Sequence, residues 1–230
     1  MFEQASHHLH LSPEEAQALW LSLRVALWAA GCALPLALLA ALLLSRARFP
    51  GRFLLHALVH LPLMLPPVVT GWLLLLVFGV RGPIGAWLNQ LGIRLVFTEA
   101  GAALACGVMV FPLMVRAIRL SLESVDPHLE QAARTLGAGA LDRFVSITLP
   151  LATPGILTAA VLGYTASLGE FGAVITFAAS IPGQTRTLPL AIYAALESPG
   201  GEMQAARLAI LSVCLALAGL LLAEIVGRRK

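Results

Sequence analysis

Residues 17–45 read QALWLSLRVALWAAGCALPLALLAALLLS, an apolar run whose sole charged member is Arg24. A helix crosses the hydrocarbon layer of a bilayer with about 20 apolar residues, so this stretch is long enough to span. Four more runs meet or approach that length, over 53–79, 98–120, 152–179 and 205–227. Turn chemistry or charge separates each from the next: Ser45–Gly51, Arg81–Gly92 with its Gly82-Pro83 pair, the long loop 121–150, and the Pro- and Gly-rich segment Ser180–Gly201. The expected fold is therefore all-α, a polytopic transmembrane helical bundle of about five spanning helices, with residues 1–230 forming a single membrane domain. The N-terminus lacks the basic leader and short apolar core of a cleaved signal peptide, so the first run is expected to stay as the first helix.

Composition agrees with a membrane solvent. Hydrophobic residues make up 59% of the chain, charged residues 12%, and the mean hydropathy is +0.87. The net charge of +3 is almost wholly arginine, since Lys230 is the only lysine, and the charges sit in loops rather than on one face. Nucleic acid is excluded as a partner on that distribution. Arg46, Arg48, Arg52, Arg116, Arg119, Arg134, Arg143, Arg228, Arg229 and Lys230 fall on one side of the spans, against Arg24, Arg81, Arg94, Arg186 and Arg207 on the other. The positive-inside rule then puts the N-terminus outside and the C-terminus in the cytoplasm.

Several membrane residues invite a functional reading. Pro62, Pro66 and Pro67, with Thr70 and Gly71, bend the second run and free carbonyls that need internal partners; the bend is either structural or lines a path. Glu170, in Ser167-Leu168-Gly169-Glu170-Phe171-Gly172, lies ~24 Å along its helix from Pro154 at 1.5 Å per residue. An acid at that depth must face protein or water, and a gate or helix-packing role suits it better than contact with an anion it would repel. Arg24 is expected to snorkel to the headgroups. His56 and His60, at i, i+4 spacing, lack an evident third metal ligand and read as packing residues. His7, His8 and His10 form a solvated tail. Cys32, Cys106 and Cys214 sit in three separate runs with neither zinc nor disulfide spacing, as small buried hydrophobes. Arg116 and Arg119, three apart at the inner mouth, could attract an anion, regulate, or serve the positive-inside rule.

The loop 121–150 is not loop-like. Asp126 is a good N-cap with Pro127 at the first helical position, Leu129, Ala132, Ala133 and Leu136 recur at helical spacing, and Gly137 is a good stop. A second helical stretch follows over Ala140–Thr148, closed by Leu149-Pro150. Short alanine-rich helices between spans three and four suit insertion into a groove on a soluble partner, or an ordinary amphipathic surface.

The run Gln131-Ala132-Ala133, Gly137, Ile147, Leu149-Pro150 resembles the cytoplasmic signature of ABC importer permeases: Glu-Ala-Ala, three residues, Gly, nine residues, Ile-x-Leu-Pro. Gln131 stands where the family often has Glu, with Glu130 just before it, which leaves open which of the two meets the ATPase. Leu61-Pro62-Leu63, Leu65-Pro66-Pro67-Val68-Val69, Phe111-Pro112-Leu113-Met114-Val115-Arg116, Ser167 to Ala173 and Ile181 to Pro189 are similar to the molybdate permease branch.

The resemblance implies a non-enzymatic subunit that translocates molybdate by alternating access, without cofactor or metal. Its implied partners are two copies of an ATP-binding subunit, a second copy of itself, a periplasmic molybdate-binding protein and membrane lipid. It places ATPase docking on Glu130, Gln131, Ala132, Ala133, Arg134, Gly137, Ile147, Leu149 and Pro150. Some members have an extra N-terminal span that this chain is expected to lack. Pro66, Pro67, Thr70, Ser167 and Glu170 are the pathway or gate candidates. In agreement, the chain has no Gly-x-x-x-x-Gly-Lys-Ser/Thr phosphate loop. A sulfate or thiosulfate permease is the alternative within this class. A stand-alone secondary transporter would need an internal repeat and mid-membrane ionisable residues, and a membrane scaffold would need neither kinked spans nor Glu170.

Overall fold

The computed structural model describes residues 12–46 and 49–227. His7, His8, His10, Arg48, Arg228, Arg229 and Lys230 lie outside them. Helix α1 runs Pro13–Arg46 and starts with a capping box: the Ser12 hydroxyl accepts from the Glu15 N–H (3.2 Å), and Glu15 Oε2 accepts from the Ser12 N–H (2.7 Å). At 1.5 Å per residue its 34 residues reach ~51 Å, more than the ~30 Å hydrocarbon layer. Alanines 18, 26, 29, 30, 33, 37, 40 and 41 are its buried stripe. Small residues let backbones approach where no hydrophobic force between helices exists, and α1 packs along α5 (Glu99–Glu123) on this stripe.

The second apolar run is not a straight span. It forms α2 (Arg52–Met64) and α3 (Pro67–Phe78), which meet at 118°. The cause is local. A residue before proline is pushed out of the α region, and here two do so in succession: Leu65 (ψ 145°) before Pro66 and Pro66 (ψ 136°) before Pro67. The halves still sit at opposite ends of the bundle. Val59 of α2 joins a core with Leu44, Ile118, Leu122 and Ala152, whereas Leu74 of α3 joins one with Leu21, Val25, Ala102 and Phe177.

A short helix α4 (Pro83–Gln90) leads to α5, capped by Thr98. After α6 (Pro127–Thr135), a continuous helix covers 140–168 as α7 (Ala140–Arg143), a π-helical turn (Phe144–Thr148) and α8 (Leu149–Leu168). The fourth apolar run therefore starts earlier than expected and breaks at Gly169–Phe171, before a separate α9 (Gly172–Ala178). Helices α10 (Leu188–Leu196) and α11 (Glu202–Gly227) complete the chain. Among the described residues four helical stretches are long and apolar enough to span, five if α2 and α3 count as one bent crossing. Leu217, Leu220, Leu221 and Leu222 of α11 and Phe53, Leu54 and Met64 of α2 stay exposed, as lipid-facing or partner-facing side chains do.

Arg24 pairs with Glu99 at 2.9 Å, tying α1 to α5. The cysteines depart from expectation. Of the cysteines only Cys106 is buried; Cys32 and Cys214 face outward.

Helices α3 and α9 touch through glycines. A Cβ on Gly71 would lie 2.7 Å from the Ala173 carbonyl oxygen and 2.8 Å from Thr176 Cβ, and one on Gly172 would lie 2.7 Å from Pro67 Cβ. Overpacking of this kind costs about 1–3 kcal/mol. Gly71→Ala is expected to lower the thermal unfolding midpoint in detergent, whereas Gly31→Ala, where a Cβ meets nothing within 4 Å, leaves it unchanged or higher. Equal midpoints for the two variants would contradict the close approach.

Candidate functional site

The end of the bundle that carries α6 is built from local capping signals. The Asp126 carboxylate accepts from the His128 N–H at 2.9 Å, and Pro127 opens the helix with no N–H to satisfy. The C-terminus closes in a Schellman turn: the Gly137 N–H bonds the Arg134 carbonyl (3.1 Å) and the Ala138 N–H bonds the Ala133 carbonyl (3.0 Å). Gly137 sits at φ +87°, the left-handed region that a side chain disfavours.

No residue of α6 is buried. Beside it, Leu136 (88% exposed), and Leu141 (77%) and Val145 (51%) at the start of the 140–168 helix, form uncovered apolar surface. Such a patch marks an interaction surface on a folded chain.

Glu130 and Gln131 part company. Gln131 is exposed, as are Ala132 and Arg134, while Ala133 is half-buried. Glu130 turns inward, where its carboxylate accepts hydrogen bonds from the Arg46 guanidinium and the Thr148 hydroxyl; Arg46 also donates to the Thr148 oxygen at 3.1 Å. Thr148 is fully buried. The cluster fastens α6 to the end of α1 and to the π turn. Sequence reasoning missed Arg46 and Thr148 in this role, since they lie 84 and 18 residues from Glu130 and each reads locally as an ordinary loop or helix residue.

Arg46 holds the Glu130 carboxyl below the usual carboxylate range, with Thr148 assisting and partial burial opposing. A depressed folded pKa adds stability that is present above the unfolded value and lost as pH falls through the folded one. Proteolytic cleavage within α6 is therefore expected to stay slow at neutral pH and to accelerate only below the ordinary carboxylate range, while Glu130→Gln cleaves faster at neutral pH and loses that acid dependence. A pH profile identical in the two proteins would contradict the cluster's role.

The π turn has a chemical cause at its end. Pro150 has no N–H to offer the carbonyl four residues back, and just before it the Leu149 N–H reaches to the Phe144 carbonyl, five residues back. Ile147 and Leu149 are half-buried and Pro150 exposed at this junction.

At the opposite end the structure brings Pro67 and Gly71 of α3 against the start of α9 through the Gly71 and Gly172 contacts, with Pro66 just before α3 and Thr70 beside Gly71 in it. Glu170 caps that helix, with Oε1 accepting from the Ala173 N–H at 3.0 Å. Ser167 is buried and donates to the Gly163 carbonyl at 2.8 Å. Thr70 is also buried, and its hydroxyl has no partner among the described residues. Its Oγ1 stays available where that of Ser167 is committed.

A polytopic bundle with a broken span at one end and an uncovered, rigidly capped helix at the other is the design of a membrane transport subunit. The chain belongs to the family of binding-protein-dependent transport system inner membrane components, whose model matches residues 33–230. It is 54% identical over 219 residues, 95% of this chain and 96% of the relative, to the molybdenum transport system permease protein ModB of Escherichia coli (strain K12). The sulfate transport system permease protein CysT of the same organism is 42% identical over 82% of this chain and 67% of its own length. Among solved structures, a bacterial ABC transporter involved in the import of the acidic polysaccharide alginate superposes with a TM-score of 0.75 at 19% identity, covering 95% of this chain and 80% of that one. That likeness shows a shared fold.

Proposed function

We propose that the chain is the membrane-spanning subunit of an ATP-driven importer that carries molybdate across the inner membrane by alternating access. The observation that carries the substrate is the identity to a molybdenum permease across nearly both full lengths, against the lower and shorter match to a sulfate permease. The observation that favours ATP drive is the capped, uncovered α6 with its apolar neighbours. Two ATP-binding subunits dock there, on the exposed Gln131, Ala132 and Arg134 and around Gly137. Glu130, Ile147, Leu149 and Pro150 support the docking surface from behind. A second copy of the chain completes the pathway, and a periplasmic binding protein delivers the anion at the other end.

The orientation follows from the same reading. With α6 in the cytoplasm, α1 begins outside and α11 ends inside, since the bent α2–α3 segment still passes from one end of the bundle to the other. Glu170 acts at the outer break as a helix cap and gate, Pro66 and Pro67 form the hinge, and the free Thr70 hydroxyl is a candidate donor to the passing anion. Closure of the ATPase pair draws the two α6 helices together and shifts the bundle between two states.

Uptake into liposomes that contain the chain and its candidate ATPase, with the binding protein outside, tests this. ATP-dependent accumulation of molybdate, with sulfate taken up more slowly, is expected. Preferred sulfate uptake would move the substrate to the alternative, and uptake without ATP or ATPase would overturn the ATP-driven reading.

A further inference from the structure

His56 and His60 of α2 and Arg116 and Arg119 of α5 are two pairs that sequence spacing treats separately. The fold brings them together. With Leu120 and Glu123 they line an open cavity of about 330 Å³ at the α6 end of the bundle. The two imidazoles stack with centroids 4.3 Å apart and planes 18° from parallel, and His60 Nδ1 lies 2.9 Å from the His56 carbonyl. Arg119 bonds Glu123 at 2.7 Å, while Arg116 is exposed and has no ion pair among the described residues. Arg52, one helical turn before His56, spends its guanidinium on the Leu44 carbonyl at 2.6 Å.

We propose that this cavity is an oxyanion site at the inner mouth of the pathway, where a tetrahedral oxyanion is held between the Arg116 and Arg119 guanidiniums and the His56–His60 pair. The tetrahedral shape of the ligand rests on the permease reading; the cationic cavity does not. Guanidinium forks match oxyanion geometry and donate charge-assisted bonds. Glu123 offsets one arginine, so with neutral imidazoles the lining has a single net positive charge. A bound anion fills the space in front of the stacked imidazoles, takes hydrogen bonds from their N–H groups and shields them from small reagents in solution. A phosphate headgroup of an anionic lipid shares this chemistry, and the test separates the two sources.

Diethyl pyrocarbonate modifies the unprotonated imidazole, and peptide mass spectrometry reads each histidine by itself. The assembled transporter is placed in nanodiscs of neutral phosphatidylcholine at about pH 7.5, above the ordinary imidazole pKa, with molybdate added. At a concentration about ten times the dissociation constant the rates at His56 and His60 are expected to fall about tenfold, as the unoccupied fraction does, while His128 on α6, outside the cavity, keeps its rate. Arg116→Gln with Arg119→Gln abolishes the protection, and recovery of the ATPase with the variant in the wild-type ratio shows that it is folded. Arg116→Lys retains part of it.

Protection that needs phosphatidylglycerol in the membrane and ignores molybdate assigns the site to a lipid headgroup. Unprotected His56 and His60 in both membranes overturn the proposal. ATP-dependent uptake by the same wild-type preparation reports on the permease reading separately, so the failure of one is not mistaken for the failure of the other.

Discussion

A transporter whose permease carries Ala133→Glu together with Gly137→Glu is expected to lose its ATPase on purification and to import molybdate at about 1% of the wild-type rate or less. Gly137 holds the Schellman turn at φ +87°, and a side chain in that region costs about 1–2 kcal/mol. The turn's two bonds, to the Arg134 and Ala133 carbonyls, are what hold α6 as a finished helix rather than a frayed one. Glutamate at 133 adds bulk and charge to a half-buried position on the same surface. A loss of about 2.7 kcal/mol of docking free energy is a hundredfold in affinity, and strain plus repulsion at a partner groove reaches that sum. Each change is at the end of the bundle, remote from the outer helix break, so thermal unfolding of the isolated permease moves little. Stoichiometric recovery of the ATPase with the double variant would remove α6 as its docking element.

Arg207→Met is expected to destabilise the chain strongly. Glu15 has a fully buried side chain; Oε1 accepts from Arg207 at 2.9 Å and Oε2 from the Ser12 N–H. The pair joins the first turn of α1 to the first turns of α11, which α10 also contacts. Removing one partner of a buried ion pair costs about 3–5 kcal/mol, because the other charge is left uncompensated, whereas replacing both can be near neutral. Thermal unfolding in detergent should therefore rank Arg207→Met well below wild type, and Glu15→Gln with Arg207→Met above the single variant. A double variant no better than Arg207→Met would mean that the pair is held for packing and not for charge.

The spans were legible because an unbroken apolar run encodes its own length, and α1, α5 and α11 lie where the runs of residues 17–45, 98–120 and 205–227 put them, within a few residues. The two consecutive prolines announced a bend in the second run; they did not announce 118°, because periodicity carries no direction. Asp126, Pro127 and Gly137 were legible for the opposite reason, since a cap is a contact between neighbours in sequence. Long-range pairings left no such trace. Glu130 reads as one of two candidates for an outside partner until Arg46 and Thr148 are seen to occupy it. Glu15 and Arg207, 192 residues apart, read as two unrelated charges, and the histidine and arginine pairs become one cavity only when α2 lies against α5.

The π turn at Phe144–Thr148 also sets a rotational phase. Relative to an α-helix it is one residue too many in a single turn, and at 3.6 residues per turn a residue is worth about 100° about the axis. Leu141 and Val145 therefore point where an unbroken helix entering α8 would not have aimed them, away from the bundle and toward open space. Deleting one residue there would let the turn close as an ordinary α turn with its flanks near their present phase, whereas straightening it with all five residues kept would swing the preceding turn around the axis by roughly that angle, like a dial moved by about a quarter of its face. A subunit that mates with its engine through that turn is thus keyed by angle as well as by surface chemistry, and a partner matched to one phase would find the other shut.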